Sequence, residues 1–198
     1  MCPLGHGNTQ RLGRFLAHLI IECRTHKKKT LSSGKITAQV LFMTSPDLAQ
    51  VIHSLLLKNS VASMATHSLK HTGFPYNSVM PYAVLPSGDP IFLISALATH
   101  TRNLKSNPKA SLLIADNRAD PLASARGTLI GTVERIGSET VDAAKSVYFE
   151  SHPKSRQWGG LHDFAIFQMN IVEAYVVAGF GSMGWVPLQQ FREQFAKS

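Results

Sequence analysis

The sequence predicts an α+β protein: an antiparallel β-barrel, closed or nearly closed, with helices inserted between its strands. Three observations lead there. Ile91–Ile94 follows the turn Pro86-Ser-Gly-Asp89 and the apolar run before it, which reads as a hairpin. From Ala125 the chain alternates: Ala125, Gly127, Leu129, Gly131 and Val133 face one way, while Arg126, Thr128, Thr132 and Glu134 face the other. Only Ile130 departs from that pattern of a long half-buried strand. Strict strand–helix–strand alternation is absent, which argues against a doubly wound parallel sheet.

The elements follow in order. Ser45-Pro-Asp47 opens a helix, with Ser45 as cap and Pro46 in the first turn. Leu48, Val51, Ile52, Leu55 and Leu56 give it one apolar face, and Lys58-Asn-Ser60 ends it. Val61–Thr66 is a strand of small residues, and His67–Phe74 a polar loop. Tyr76–Leu85 reads as one strand, with Pro81 marking an edge or a bulge. Ala98–Ser106 is a short helix with Thr99 or Thr101 as cap and Asn107-Pro108 as stop. Ala110–Ala115 is a strand and Asp116–Leu122 a polar loop. Ser138 caps a helix running to about His152-Pro153. Two strands, Phe164–Ile171 and Ala174–Phe180, precede a last helix, Pro187–Phe195.

The chain has 198 residues and a formal charge of +8. Six of those charges are the net contribution of residues 1–35, where Arg11, Arg14, Arg24, Lys27, Lys28, Lys29 and Lys35 face a single acid, Glu22. The division expected is a basic extension over residues 1–42 and one domain over 43–198. The extension reads as weakly ordered or, alternatively, as an organelle presequence; His18 interrupts the apolar stretch a secretory signal needs. Cys2 and Cys23 both lie in it, so neither a disulfide framework nor a cysteine zinc site holds the body. No apolar run is long enough to span a bilayer. The body carries no basic stripe and no nucleic-acid motif, so neither membrane nor nucleic acid is an expected partner. The expected location is cytoplasmic, or an organelle if the extension is a presequence.

Most single motifs have ordinary explanations. Gly179-Phe-Gly-Ser-Met-Gly184 matches a dinucleotide fingerprint, but the chain after Gly184 is too short for the helix, strand and acid that reading requires. Glycines shaping a tight strand-to-helix turn explain it better. His67 and His71 sit in a loop without a third metal ligand. His162-Asp163 reads as a strand start, and no catalytic triad is specified. Ala98-Thr-His-Thr-Arg-Asn103 stands out. It follows a strand and opens a helix, so free backbone N–H groups, the hydroxyls of Thr99 and Thr101, His100 and Arg102 suit a phosphate.

The order of segments from about Val61 to Ile136 resembles the FMN-binding split-barrel superfamily, which includes pyridoxamine 5′-phosphate oxidase. The resemblance rests on Tyr76–Met80, the hairpin turn, Ile91–Ser95, Ala98-Thr-His100, Leu104–Ile114 and Arg126–Ile136. Val176-Val-Ala-Gly-Phe-Gly181 is similar to the branch of haem-utilisation proteins and secreted growth repressors. The resemblance implies an antiparallel split barrel that dimerises with FMN at the interface. It implies that Asn77, Ser78, Val79 and Met80 line the isoalloxazine, with Ile94 and Ser95 beside it. Thr99, His100 and Arg102 would hold the phosphate, and Arg126 would reach in from the partner subunit. The chain departs from the oxidase, which has Arg where Asn77 stands and Ser-Arg-Lys where Ala98-Thr-His100 stands; two strong phosphate donors are lost.

Three functions follow from this reading: an FMN-dependent oxidoreductase of unknown substrate and unnamed catalytic residues, a haem-binding or haem-degrading protein, and a non-catalytic binding module. For haem, His67, His71, His152 and His162 lie in expected loops, and the sequence does not choose among them.

Overall fold

The computed structural model describes residues 47–116, 120 and 123–197. The basic extension, Ser45-Pro46 and most of the Asp116–Leu122 loop lie outside the described residues.

Helix α1, Leu48–Lys58, is capped by Asp47, whose side chain accepts from the Ala49 N–H at 2.9 Å. It buries Ala49, Ile52, Leu55 and Leu56 and closes on Asn59, whose backbone and side-chain nitrogens both donate to Leu55 O. Eight strands follow: β1 Val61–His67, β2 Pro75–Pro81, β3 Ala83–Val84, β4 Pro90–Ser95, β5 Lys109–Ala115, β6 Arg126–Arg135, β7 Phe164–Gly179 and β8 Ser182–Pro187. Helix α2 is Thr99–Ser106, α3 is Val141–Ser151 and α4 is Leu188–Ala196. Helix α3 begins after Thr140, not Ser138. Every pairing is antiparallel, in the order β2-β1-β5-β6-β7-β4-β3, with β8 beside the second half of β7. The expected α+β fold on a curled antiparallel sheet is present.

Three further elements differ from expectation. Tyr76–Leu85 is two strands, because β2 pairs with β1 while β3 pairs with β4. These two strands stand at opposite ends of the sheet order, yet one residue, Tyr82, joins them. The sheet therefore curls until its first and last strands meet there. Tyr82 is buried; its N–H donates to Ser60 O (2.9 Å), its hydroxyl to Leu56 O (3.0 Å), and its carbonyl accepts from His152 Nε2 (2.8 Å). Burial pushes its phenol far above the ordinary range.

Second, the two strands expected across 164–180 are one strand of 16 residues, β7. Ile130 pairs with Glu173 and Gly131 with Ile171, leaving Val172 as the extra residue of a β-bulge. The bulge inverts the alternation: Met169 and Ile171 are buried before it, Ala174 and Val176 after it. That break in period imitates a turn in the sequence. Third, the glycine-rich run joins strand to strand, with Gly179 and Gly181 at positive φ (142° and 79°) turning β7 into β8.

The barrel interior packs Met64, Leu112, Ile114, Leu129, Met169 and Ile52. A smaller cluster, including Ile91, Tyr148 and Ile166, lies under α3. Helix α4 buries Phe191, and its Arg192 pairs with Asp89 at 2.6 Å.

Candidate functional site

Helix α2 leaves β4 through Ser95–Ala98, and its polar residues fix it to the barrel. Ala98 occupies the cap position without a side-chain cap, so neither Thr99 nor Thr101 plays the expected capping role. Thr101 instead is buried and donates to Ser95 O at 2.6 Å. The Ser95 hydroxyl donates to Asp163 Oδ2 (2.8 Å) and accepts from the Leu97 N–H (3.1 Å). Asn103, 1% exposed, donates to Thr66 Oγ1 at 3.0 Å and accepts from the Leu69 N–H at 2.9 Å. Thr66 in turn donates to Tyr76 O. This buried chain joins α2, β1, β2 and the loop between the two strands. Such bonds contribute about 1 kcal/mol each when made and cost more when half-broken.

His100 and Ser78 meet at 3.2 Å, imidazole Nδ1 against hydroxyl, which brings β2 to α2. His100 Nε2 is buried without a hydrogen-bond partner. Burial lowers the His100 pKa below its ordinary value, which disfavours the charged ring. Arg102 is exposed and reaches back to Thr99 Oγ1 at 3.4 Å.

The residues expected to share a site therefore separate. Ser78, Ser95, Thr99, His100 and Arg102 gather around α2. Met80 and Ile94 put their side chains into the core at 3% exposure. Asn77 and Val79 face outward on β2, as the two-residue period of a strand requires. Arg126 stands on β6, three strands from β2 and roughly 14 Å away at ordinary strand spacing; it donates to Ser124 O at 3.4 Å.

That outward face is extensive and apolar. One rung runs Val79, Ser63, Leu113, Thr128, Tyr175, Trp185 across six strands. Val79 is 77% exposed and Trp185 53%. The next rung is Asn77, Ala65, Ser111, Ile130. At its end a cleft of about 400 Å³ is lined by Ala65, His67, Pro75, Lys109, Ser111 and Ile130. The Thr66–Asn103 bond and this cleft escaped the sequence reading; the clue to the cleft was the alternation Val61, Ser63, Ala65, His67 opposite Ala62, Met64, Thr66.

As a phosphate grip the α2 corner is chemically poor. Its helix start offers N–H groups, but burial disfavours a charged His100, whose ring is turned onto Ser78, Asn77 carries no charge, and Arg102 is the group's permanent cation. The outer face offers different chemistry: aromatic and aliphatic side chains, with Lys109 at one end of the β5–β6 pair and Arg126 at the other.

The family profile of the CREG β-barrel matches residues 44–193. The chain belongs to that family. It is 34% identical to the chloroplast haem oxygenase HOZ of Arabidopsis thaliana over 125 residues, 63% of this chain and 38% of that protein. It is 27% identical to human CREG1 over 151 residues, 68% of this chain and 69% of that protein. The chain thus spans well under half the length of the plant relative. A haem-binding protein of Mycobacterium smegmatis superposes with a TM-score of 0.70 at 28% identity, covering 76% of this chain and 62% of that one. A putative pyridoxamine 5′-phosphate oxidase of Listeria innocua superposes at 0.52 with 15% identity, covering 67% of this chain and all of that one, a likeness of fold alone. The split-barrel resemblance and its haem-utilisation branch are borne out. Among the described residues no helix is long and apolar enough to cross a membrane.

Proposed function

We propose that this protein binds haem, as a homodimer whose outer sheet faces enclose the ligand. The observation that carries the reading is the apolar face from β2 to β8, exposed among the described residues, together with a phosphate grip weakly charged for a nucleotide. Contiguous apolar patches of this kind mark interaction sites. The relatives named for haem add support. Haem would supply a redox-active iron; Lys109 would pair with one of its carboxylates, and Val79, Leu113 and Ile130 would exclude water from its ring.

FMN remains a second reading because one feature favours it: the α2 start, with Arg102 and Thr99 over free N–H groups. Under it the protein is an FMN-dependent oxidoreductase, and Asn77–Met80, Ile94 and Ser95 border the ring. Titration of the purified protein with haemin and with FMN separates the two. Haem binding is expected to give a Soret shift at micromolar haemin, with FMN binding weaker. An isolated yellow protein that retains FMN and gives no Soret shift would overturn the haem reading. Binding of neither would point to the non-catalytic module.

The dimer is tested by light scattering, with twice 21.6 kDa expected and Trp185→Glu returning the monomer. The basic extension of residues 1–42 is proposed to be separate from the ligand-binding domain; deleting residues 1–35 should leave ligand affinity unchanged.

A further inference from the structure

We infer that His67 is the iron ligand, with the haem edge seated in the cleft that Ala65, Ser111 and Ile130 floor. This inference rests on the haem reading above. An axial imidazole must present a free ring nitrogen beside an apolar surface broad enough for the macrocycle. Six histidines lie among the described residues. His53 packs its ring on Phe195 at 4.5 Å. His100 has one nitrogen on Ser78 and the other buried. His152 spends Nε2 on Tyr82 O and packs its ring against Tyr148. Three are exposed: His67, His71 and His162.

Their surroundings differ. His162 lines a pocket of about 70 Å³ with Lys105, Arg135 and Asp163, too small and too polar for a porphyrin. His71 lies in the turn closed by Phe74 N–H to His71 O and does not line the cleft. His67 ends β1 on the outward face and lines the cleft of about 400 Å³. Its ring makes no hydrogen bond among the described residues. Lys109, at the same end of the adjoining strand, supplies a cation for a carboxylate. The loop after His67 carries two exposed apolar residues, Leu69 (58%) and Phe74 (68%). Their exposure has a use if a ring lies against that rim.

The position is also held firm. Thr66, the preceding residue, is fixed by Asn103 and Tyr76 O, and Leu69 N–H is fixed by Asn103 Oδ1. The backbone on both sides of His67 is thereby tied to α2, the support a ligand residue needs to keep its geometry.

The test is haemin titration of the full chain and of His67→Ala, His71→Ala and His162→Ala, read by the Soret band and by electron paramagnetic resonance of the ferric form. Circular dichroism confirms that each variant folds, as exposed positions allow. His67→Ala is expected to bind about tenfold or more weakly and to lose the histidine-ligated signature. Added imidazole should restore that signature. His71→Ala and His162→Ala should match the parent. A His67→Ala protein with the parent's affinity and spectrum overturns the inference while leaving the haem reading standing. A parent protein with no Soret shift overturns both.

Discussion

Replacing Gly131 by Ala tests the bulge that shapes the ligand-facing sheet. A Cβ at this position would press on the Asn170 carbonyl, with Asn170 C at 3.0 Å and Ile171 Cα at 3.2 Å. These are backbone atoms of β7 at the bulge, so no side chain can rotate aside. Relief requires the β6 and β7 backbones to separate. Overpacking of this sort costs about 1–3 kcal/mol, and weakening one neighbouring ladder bond adds about 1 kcal/mol. The expected loss is therefore about 2–4 kcal/mol. At about 2–4 °C per kcal/mol for a domain of this size, the melting temperature should fall by roughly 4–16 °C. Thermal melts followed by circular dichroism measure it, and a lower urea midpoint at unchanged slope would assign the loss to stability. Gly137→Ala is the control, since a Cβ there meets nothing within 4 Å. A Gly131→Ala protein melting within about 1 °C of that control would refute the argument.

Other variants probe the joints around the site. Tyr82→Phe leaves Leu56 O unpaired near the end of α1, an expected loss of about 1–2 kcal/mol in urea unfolding. Asn103→Ala strands the Leu69 N–H and removes a partner of Thr66, an expected loss of about 2–3 kcal/mol; faster amide exchange at Leu69 would show the loop coming free. His100 gives a pH dependence. Its folded-state pKa lies below the ordinary 6.5, so the unfolded chain takes up the proton first as pH falls. Its contribution is fully present above about pH 6.5 and is lost as pH drops below it. His100→Gln should flatten that part of the stability profile, and equal slopes in the two proteins would count against a buried neutral ring.

The fold was legible where one local period governed a segment. The stripe of α1 and the alternation of β6 both came through because each residue's burial repeats its neighbours'. Reading failed where long-range pairing set the outcome. Pro81 marked an interruption, but only the pairing of β2 with β1 and of β3 with β4 shows that the chain changes neighbours at Tyr82. Phe164–Ile171 and Ala174–Phe180 read as two strands because the alternation changes parity between them, whereas a single extra residue, Val172, carries one strand across that change. The site was half legible. Thr99, His100 and Arg102 announced a helix start, and Ser78 joins them in space. Grouping Asn77 through Met80 ignored that adjacent strand residues face opposite sides. Asn103 gave no sign, because its partner Thr66 is 37 residues away.

The single-residue joint at Tyr82 also bears on the order of assembly. The Tyr82 contacts are complete only when both flanks are in place: its N–H and hydroxyl reach Ser60 O and Leu56 O beside the β1–β2 pair, and its carbonyl meets His152 on the side of β3 and β4. The second flank is held by β7, whose pairs with β4 are 69 to 77 residues apart in the chain. Loops of that length close slowly and at an entropic cost. The full set of Tyr82 contacts is therefore expected late in folding, and weakening it should accelerate unfolding while leaving the refolding rate nearly untouched in stopped-flow measurements; a refolding rate that slows as much as unfolding quickens would refute that order. The barrel is locked from the middle of its sequence, at a residue that neither begins nor ends the sheet in the chain.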